Sequence, residues 1–183
     1  MGCVQVKSID SINTQYHNDS LIAWYNWQPV TGQQQDIKIK VINPCKPGVM
    51  PYDAAFTAIE CQFIRSGGRQ QIVNFADPDP QMELIYFDSS AIWNTNYKNS
   101  KAVFIPFSYC GSYDTDLKSS VFIIYNDNAY LAHLYFSCGE GEKAGCSFKN
   151  IIIANNKKLP EALQSDLIMK MKQRYGSREK FPG

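Results

Sequence analysis

The sequence lacks the features that mark membrane proteins, nucleic-acid-binding proteins and metalloproteins. It has no apolar run of the roughly 18 residues that cross a bilayer, so we expect no membrane-spanning helix. Its 18 Lys and Arg residues balance 17 Asp and Glu residues without a basic cluster, so nucleic acid is not an expected partner. With 2 His residues and no Cys-x-x-Cys spacing, we expect no metal site.

Catalytic signatures are missing as well. The chain has no Gly-x-Ser-x-Gly turn and no phosphate-binding glycine loop. Glu140 and Glu142 lie in a glycine-containing loop, where we expect their carboxylates to be solvated rather than paired as an acid and a base. Haem ligation through His133 or His17 is a minor alternative. We therefore predict that the protein is not an enzyme and requires no cofactor.

The features that are present are a β-protein composition and six cysteines. Hydrophobic residues make up 44% and aromatic residues 13% of the chain, as in one globular domain over residues 1–183. The cysteines indicate disulfides in a secreted, extracellular protein. The Asn-Asp-Ser triplet at Asn18 is a predicted glycosylation site, which agrees with secretion. The alternative is a cytosolic protein acylated at Gly2 and Cys3, because the first residues resemble an acylation signal.

Short runs of β-branched and aromatic residues occupy the chain from Leu21 to Cys146 and predict strands. Residues 36–42 alternate strictly between polar and apolar side chains, so one face of this strand can be buried. The further predicted strands are residues 56–64, 71–75, 82–87, 102–107, 121–125 and 130–136. Turn residues separate them at 66–68, 77–80, 111–112 and 126–128. The pattern predicts a meander of antiparallel strands.

The pattern changes after residue 154. Pro160 can occupy the first helical position, apolar residues recur at helical spacing up to Tyr175, and Gly176 can end the helix. We predict one amphipathic helix over residues 160–175. Many strands followed by one helix favour an all-β fold, and the regular hairpin spacing favours a closed antiparallel up-and-down β-barrel over an open sheet.

Three segments now resemble the lipocalin family, in particular its branch of apolipoprotein D, insect bilin-binding proteins and crustacyanins. The segments are residues 3–12 followed by Trp-Tyr-Asn-Trp at 24–27, Tyr-Asn-Asp-Asn-Ala-Tyr at 125–130 followed by Tyr-Phe-Ser-Cys at 135–138, and residues 151–160 ending in Leu-Pro. The resemblance implies an amino-terminal arm over residues 1–20, an eight-stranded barrel over 21–155, a helix packed on the barrel wall and a tail over 176–183. It also implies a disulfide between Cys3 and Cys138.

Two positions depart from the family pattern, and four cysteines stay unassigned. Ile22 replaces a Gly, and Asn155 replaces an Arg that in the family stacks over the tryptophan at Trp24. We therefore expect Trp24 and Asn155 to form a divergent barrel floor. The cysteines other than the implied pair must bond among themselves or stay partly free, and the sequence does not choose among the pairings. They are Cys45, Cys61, Cys110 and Cys146.

The resemblance and strand alternation together predict the residues that line the barrel. If Cys138 faces outward to meet Cys3, then His133, Tyr135 and Ser137 face inward, because successive side chains of a strand point to opposite faces. Each lining residue is either a ligand contact or core filling, and the imidazole of His133 binds either a ligand or a strand neighbour. Lys149 meets a ligand carboxylate or extends into water. The other predicted ligand-binding residues are Asn26, Gln28, Tyr86, Trp93, Phe122, Ile124 and Ile151.

The predicted function is the extracellular binding and transport of a small hydrophobic ligand in the barrel cavity. A bilin such as biliverdin or a carotenoid is the favoured ligand, as a bound chromophore, and a fatty acid, retinoid or steroid is the next choice. The alternative is a secreted protein with a small or filled cavity that acts through its surface as a binding or inhibitory protein. A homo-oligomer is compatible with either function.

Overall fold

A computed structural model describes residues 11–17, 19–27, 35–45, 56–64, 68–77, 84–110, 116–140 and 144–177. The elements are β1 (Ser11–His17), β2 (Ser20–Trp27), β3 (Gln35–Ile42), β4 (Thr57–Ile64), β5 (Gln70–Asp77), β6 (Leu84–Tyr86), β7 (Trp93–Tyr97), β8 (Ser100–Cys110), β9 (Asp116–Tyr125), β10 (Asn128–Cys138), β11 (Cys146–Ile153) and α1 (Glu161–Arg174). Short 3₁₀ turns lie at Ser89–Ala91 and Ala154–Asn156.

The strands form two antiparallel sheets. The first sheet has the order β1-β2-β3-β4-β5, and the second has the order β11-β10-β9-β8-β6, with β7 also paired to β8. The β-rich antiparallel fold with one carboxy-terminal helix is thus confirmed. The predicted closure is not found, because no ladder between described strands joins the two sheets into a barrel.

Two strands were not predicted from the sequence. The segment expected to be an arm contains β1, which pairs with β2 along its whole length. Its side chains from Ile12 to Tyr16 are all exposed, so it carries no alternation of buried and exposed positions. The other strand is β7, whose centre consists of three polar residues between Trp93 and Tyr97. Both strands lie at sheet edges, where pairing does not require an apolar face.

The predicted turn at residues 126–128 is a tight hairpin between β9 and β10. Asn126 and Asp127 have φ angles of 47° and 59°. Two consecutive left-handed residues are typical of the type I′ turn, which Asn and Asp tolerate better than most residues do. This turn fixes the register in which Asn128 opposes Tyr125.

The first hydrophobic cluster lies between the sheets. Alternate residues of β2, β3 and β4 point toward the second sheet, and Ile37, Ile39 and Ile59 have no solvent exposure. They pack against the facing residues of β8 and β9, among them Phe107 and Phe122. This packing leaves β8 and β9 buried on both faces, since a second cluster covers their other side.

The second cluster joins α1 to the opposite face of the second sheet. The helix begins after Pro160, and its buried residues Leu163, Leu167 and Met171 recur every four positions along one stripe. They pack on a sheet face that includes Leu134 and Phe136. The predicted helix is therefore confirmed. The described residues contain no helix with the length and hydropathy needed to cross a membrane.

The described residues contain two disulfides, and one of them replaces the predicted bond between Cys3 and Cys138. Cys138 bonds to Cys146 rather than to Cys3, because the two residues are directly opposite in the register of β10 and β11, with their Cα atoms 4.0 Å apart. Cys3 and the predicted glycosylation site Asn18 lie outside the described residues. The two disulfides between described residues are compatible with an extracellular protein.

The second disulfide, Cys45–Cys110, lies where the two sheets meet. The Cys45 amide donates to the Ile85 carbonyl at 2.8 Å, and the Ile85 amide donates to Thr57 Oγ1 at 3.2 Å. Strand β6 is therefore hydrogen-bonded to the segment that follows β3 and to the first residue of β4. Cys61 is the free cysteine of the described part, and burial in the core raises the pKa of its thiol.

Candidate ligand-binding site

The second sheet turns one face, here called the inner face, toward the first sheet. Along β9 this face changes from Ile124 and Phe122, which have no solvent exposure, to the partly exposed Lys118. On β10 the partly exposed residues His133 and Tyr135 belong to the same face, since Tyr135 is opposite Lys118 in the ladder. The predicted inward orientation of His133 and Tyr135 is confirmed.

The first sheet covers only part of this inner face. Phe75 of its edge strand β5 packs edge-on against His133, with ring centroids 5.6 Å apart. Beyond this contact, Ile152 of β11, which is opposite His133, is 49% exposed. We call the surface formed by Phe75, Lys118, His133, Tyr135 and Ile152 the open side. It lies between the edge strands β5 and β11, which no described ladder joins.

Aromatic rings and one cation dominate the open side. Phe75 also contacts Phe107, with ring centroids 5.8 Å apart in a tilted arrangement. The Lys118 ammonium lies 4.5 Å from the centroid of the Tyr109 ring and 5.7 Å from that of Phe75. Such cation–π contacts are stronger when the cation is partly desolvated. The arrangement offers flat apolar surface next to a positive charge.

His133 contributes a neutral imidazole to this surface. Its Nδ1 lies 2.8 Å from Oγ of Ser120, its neighbour on β9, so the ring is oriented by a hydrogen bond. Burial, followed by the charge of Lys118, lowers the pKa of His133. Ser120 itself has no solvent exposure, so its hydroxyl is not placed to attack a substrate. The hydrogen bond with Ser120 therefore fixes the orientation of the His133 imidazole on the open side.

Acidification is expected to destabilise the protein through His133. The folded-state pKa is lower than the usual value of 6.5, so the unfolded chain takes up this proton first. The contribution of His133 to stability is therefore complete above about pH 6.5 and is lost as the pH falls toward the depressed pKa. Urea unfolding at about pH 7.5 and about pH 5.5 should show a larger loss for the wild type than for His133→Asn. Equal losses in the two proteins would contradict the assignment.

Two other predicted residues, Lys149 and Ser137, lie beside Asp116 at the polar rim of the inner face. Lys149 pairs with Asp116 through an Nζ to Oδ1 contact of 2.8 Å, and both side chains are largely exposed. A hydrogen bond from Lys149, then one from Ser137, lowers the pKa of Asp116. Lys149 is thus an exposed residue at the sheet edge, and its charge is directed to a protein carboxylate.

Phe122 and Ile124 face inward as predicted, and they belong to the core. Neither side chain has solvent exposure. The Phe122 ring packs against Phe107 with centroids 5.3 Å apart. Of the two roles open to these residues, core filling is the one found in the described structure.

Ile151 was predicted to face inward with Lys149, and this prediction is wrong. A β-bulge places Tyr135 opposite Asn150 but Phe136 opposite Phe148, so Lys149 is an extra residue in β11. The bulge shifts the register by one residue and turns Ile151 to the other face. There it packs with the cluster that contacts α1.

The predicted barrel floor at Trp24 is also wrong. Tyr25, together with Leu21 and Ala23, points into the core, so the alternation of β2 places Trp24 on the outer face of the first sheet. Asn26 shares that outer face, and Gln28 lies outside the described residues. Asn155 is an exposed residue with φ of 60° in the turn that follows β11. It is therefore a turn residue and does not form a floor with Trp24.

Tyr86 and Trp93 lie on the helix side of the second sheet, away from the open side. The Trp93 ring stacks on Phe104, with centroids 4.8 Å apart and planes 2° from parallel. Tyr86 lines a separate cleft of about 270 Å³ beside β1 and Asp88. Burial, followed by the charge of Asp88, raises the pKa of Tyr86.

Asp88 in this cleft is already engaged by the protein. Its Oδ1 accepts hydrogen bonds from the Ser90 amide at 3.0 Å and the Ser90 hydroxyl at 2.6 Å. Its Oδ2 accepts one from Arg174 at 2.9 Å. Although burial alone raises the pKa of Asp88, these hydrogen bonds lower it below its usual value. The carboxylate thus connects α1 to the 3₁₀ turn, and its oxygens are already hydrogen-bonded within the protein.

Sequence reasoning missed Phe75, Lys118 and Ser120. Continued alternation from Phe122 along β9 would have found Ser120 and Lys118, because all three share one face. Phe75 had no such signal, since its position over His133 depends on how the two sheets pack.

Comparison with known proteins adds no relative to this description. The chain matches no family model, no curated protein and no solved structure. The class of the protein is therefore defined by its own fold: a two-sheet antiparallel β protein with one helix packed on the outer face of the second sheet.

Proposed function

We propose that the protein binds and carries a small, planar, mostly apolar ligand on its open side. The observation that supports this proposal most directly is the partly exposed edge of the inter-sheet core, where Phe75, His133 and Tyr135 lie together beside a cation. Ligand sites are commonly apolar and aromatic surfaces with a few fixed polar groups. The ligand would extend the core rather than fill a cavity within it.

The lipocalin relationship remains part of this proposal. The antiparallel meander and the single helix on the outer sheet face are the features that support it. A bilin, a carotenoid or a fatty acid belongs to the ligand class, and secretion is the expected setting for such a carrier. We expect the protein as purified from its source to carry a pigment with visible absorption if the ligand is a chromophore.

The first test is the binding of a neutral planar probe, 1-pyrenebutanol, followed by its fluorescence. We expect saturable binding with one site per chain, and competition by biliverdin or oleate. Phe75→Leu keeps an apolar side chain but removes the ring, and should weaken binding by roughly threefold to tenfold. Ile72→Leu on the opposite face of β5, where Ile72 is 51% exposed, is the matched control and should bind as the wild type.

Absence of saturable binding by folded wild-type protein would contradict the proposal. The second candidate, a protein that acts through its surface, would then be favoured. One observation supports that candidate: the inter-sheet core is filled, with Phe122 and Ile124 fully buried.

A further inference from the structure

Lys118 differs from Lys149 and Arg174, two cations near the edges of the second sheet that pair with carboxylates. Lys149 pairs with Asp116, and Arg174 pairs with Asp88. Among the described residues, no carboxylate forms an ion pair with Lys118. The partners of its ammonium are the rings of Tyr109 and Phe75. Lys118 is thus a partly buried cation with an aromatic surface beneath it and, within the described part of the chain, without an ion-paired carboxylate.

The neighbours of Lys118 make this position suited to an anion. Burial of a cation has a cost that an opposite charge offsets. His133 is opposite Ser120, which follows Lys118 along the inner face of β9. The lowered pKa of His133 keeps its imidazole neutral at neutral pH, so it adds no second charge to the site. The nearest acid along the same face of β9, Asp116, is held by Lys149 at 2.8 Å. At the Lys118 position an incoming carboxylate would meet the ammonium and the aromatic rings beneath it.

We propose that the ligand of the open side carries a carboxylate, which the Lys118 ammonium binds while the apolar part of the ligand packs on Phe75 and the face of His133. This inference rests on the proposed function and narrows its ligand class to organic acids. Ammonium nitrogens bind carboxylates through short charge-assisted hydrogen bonds. The cation thereby sets the orientation in which the planar part of the ligand lies along the open side.

The test compares two fluorescent probes that differ only at one end, 1-pyrenebutyrate and 1-pyrenebutanol. At neutral pH, the wild type should bind the carboxylate at least about tenfold more tightly than the alcohol. Lys118→Met should abolish this preference, so that its affinities for the two probes differ by less than about threefold. Lys118→Arg should retain the preference. Lys170→Met, at an exposed position of α1, is the matched control and should bind both probes as the wild type.

The outcomes separate this inference from the proposed function. If the wild type binds both probes equally, the open side is a ligand site and the carboxylate inference is overturned. If the preference persists in Lys118→Met, the cation responsible is another residue, and the assignment of Lys118 is likewise overturned. If the wild type binds neither probe, the proposed function itself fails. Lys118→Gln provides a second neutral variant if the Met variant does not fold.

Discussion

Replacing Cys45 and Cys110 by Ser is expected to lower the free energy of unfolding by about 4 kcal/mol. The two residues are 65 positions apart, and a cross-link that closes a loop of this length removes much of the entropy of the unfolded chain. A loss of this size is a large part of the roughly 5 to 15 kcal/mol that stabilises most domains. Urea unfolding of the double variant under oxidising conditions measures it, with far-ultraviolet circular dichroism as the signal.

The other disulfide provides a matched control. Cys138 and Cys146 are only 8 positions apart, so their replacement by Ser should cost about 2.5 kcal/mol on the same entropic account. On this account the difference between the two pairs, about 1.5 kcal/mol, depends on loop length alone. Equal losses would contradict the loop-length account and assign the stabilisation to local packing. Retention of α1 in both variants would show that the comparison concerns folded proteins.

The place of the Cys45–Cys110 bond gives it a second expected effect. The bond lies beside the hydrogen bonds by which Ile85 contacts Cys45 and Thr57. This is the junction between β6 and the ends of β3 and β4. Removing the cross-link should therefore increase amide hydrogen exchange at Ile85 before it affects the centre of β9, because local openings begin where few contacts resist them.

Much of this fold could be predicted from the sequence because its strands differ in hydrophobicity from their turns. Residues 36–41 of β3 alternate strictly, and the turn at Asn126 and Asp127 carries residues that favour positive φ. The β1 strand gave no such signal, since its side chains are exposed. Whether the strands close into a barrel was also beyond sequence patterning, because closure depends on how edge strands meet in space.

The candidate site was predictable only where alternation had a fixed reference point. Cys138 gave His133 and Tyr135 their correct face even though its bonding partner was wrong, because orientation depends only on spacing along the strand. Trp24 had no such reference. Its neighbours in β2 are apolar on both faces, so the pattern alone does not distinguish the side that Trp24 takes from the side that Tyr25 takes.

Bulges and tertiary contacts account for the remaining differences. The extra residue Lys149 reverses the face of Ile151, and no local sequence feature distinguishes a bulged strand from a regular one at this position. The contact of Phe75 with His133 joins β5 and β10, which belong to different sheets. The chemistry of the open side was therefore accessible from the sequence only in its β9 and β10 part.

Phe122→Ala is expected to lower the free energy of unfolding by about 3 to 5 kcal/mol, because Phe122 belongs to the core. The side chain has no solvent exposure and packs against Phe107 at a centroid distance of 5.3 Å. Truncation of a buried ring removes its transfer free energy and leaves a cavity that the neighbouring strands fill only in part. Urea unfolding measures the loss, and titration with 1-pyrenebutanol measures whether the open side changes.

Ile152→Ala is the matched control, since Ile152 is an apolar residue of the same inner face but is 49% exposed. Its truncation should cost less than about 1 kcal/mol and should weaken probe binding, because the side chain contributes surface to the open side rather than to the core. Phe122→Ala should have the opposite profile, with a large loss of stability and little change in affinity for protein that remains folded. If Phe122→Ala instead leaves stability within about 1 kcal/mol and alters binding strongly, the ligand lies between the sheets and the open side is only its entrance.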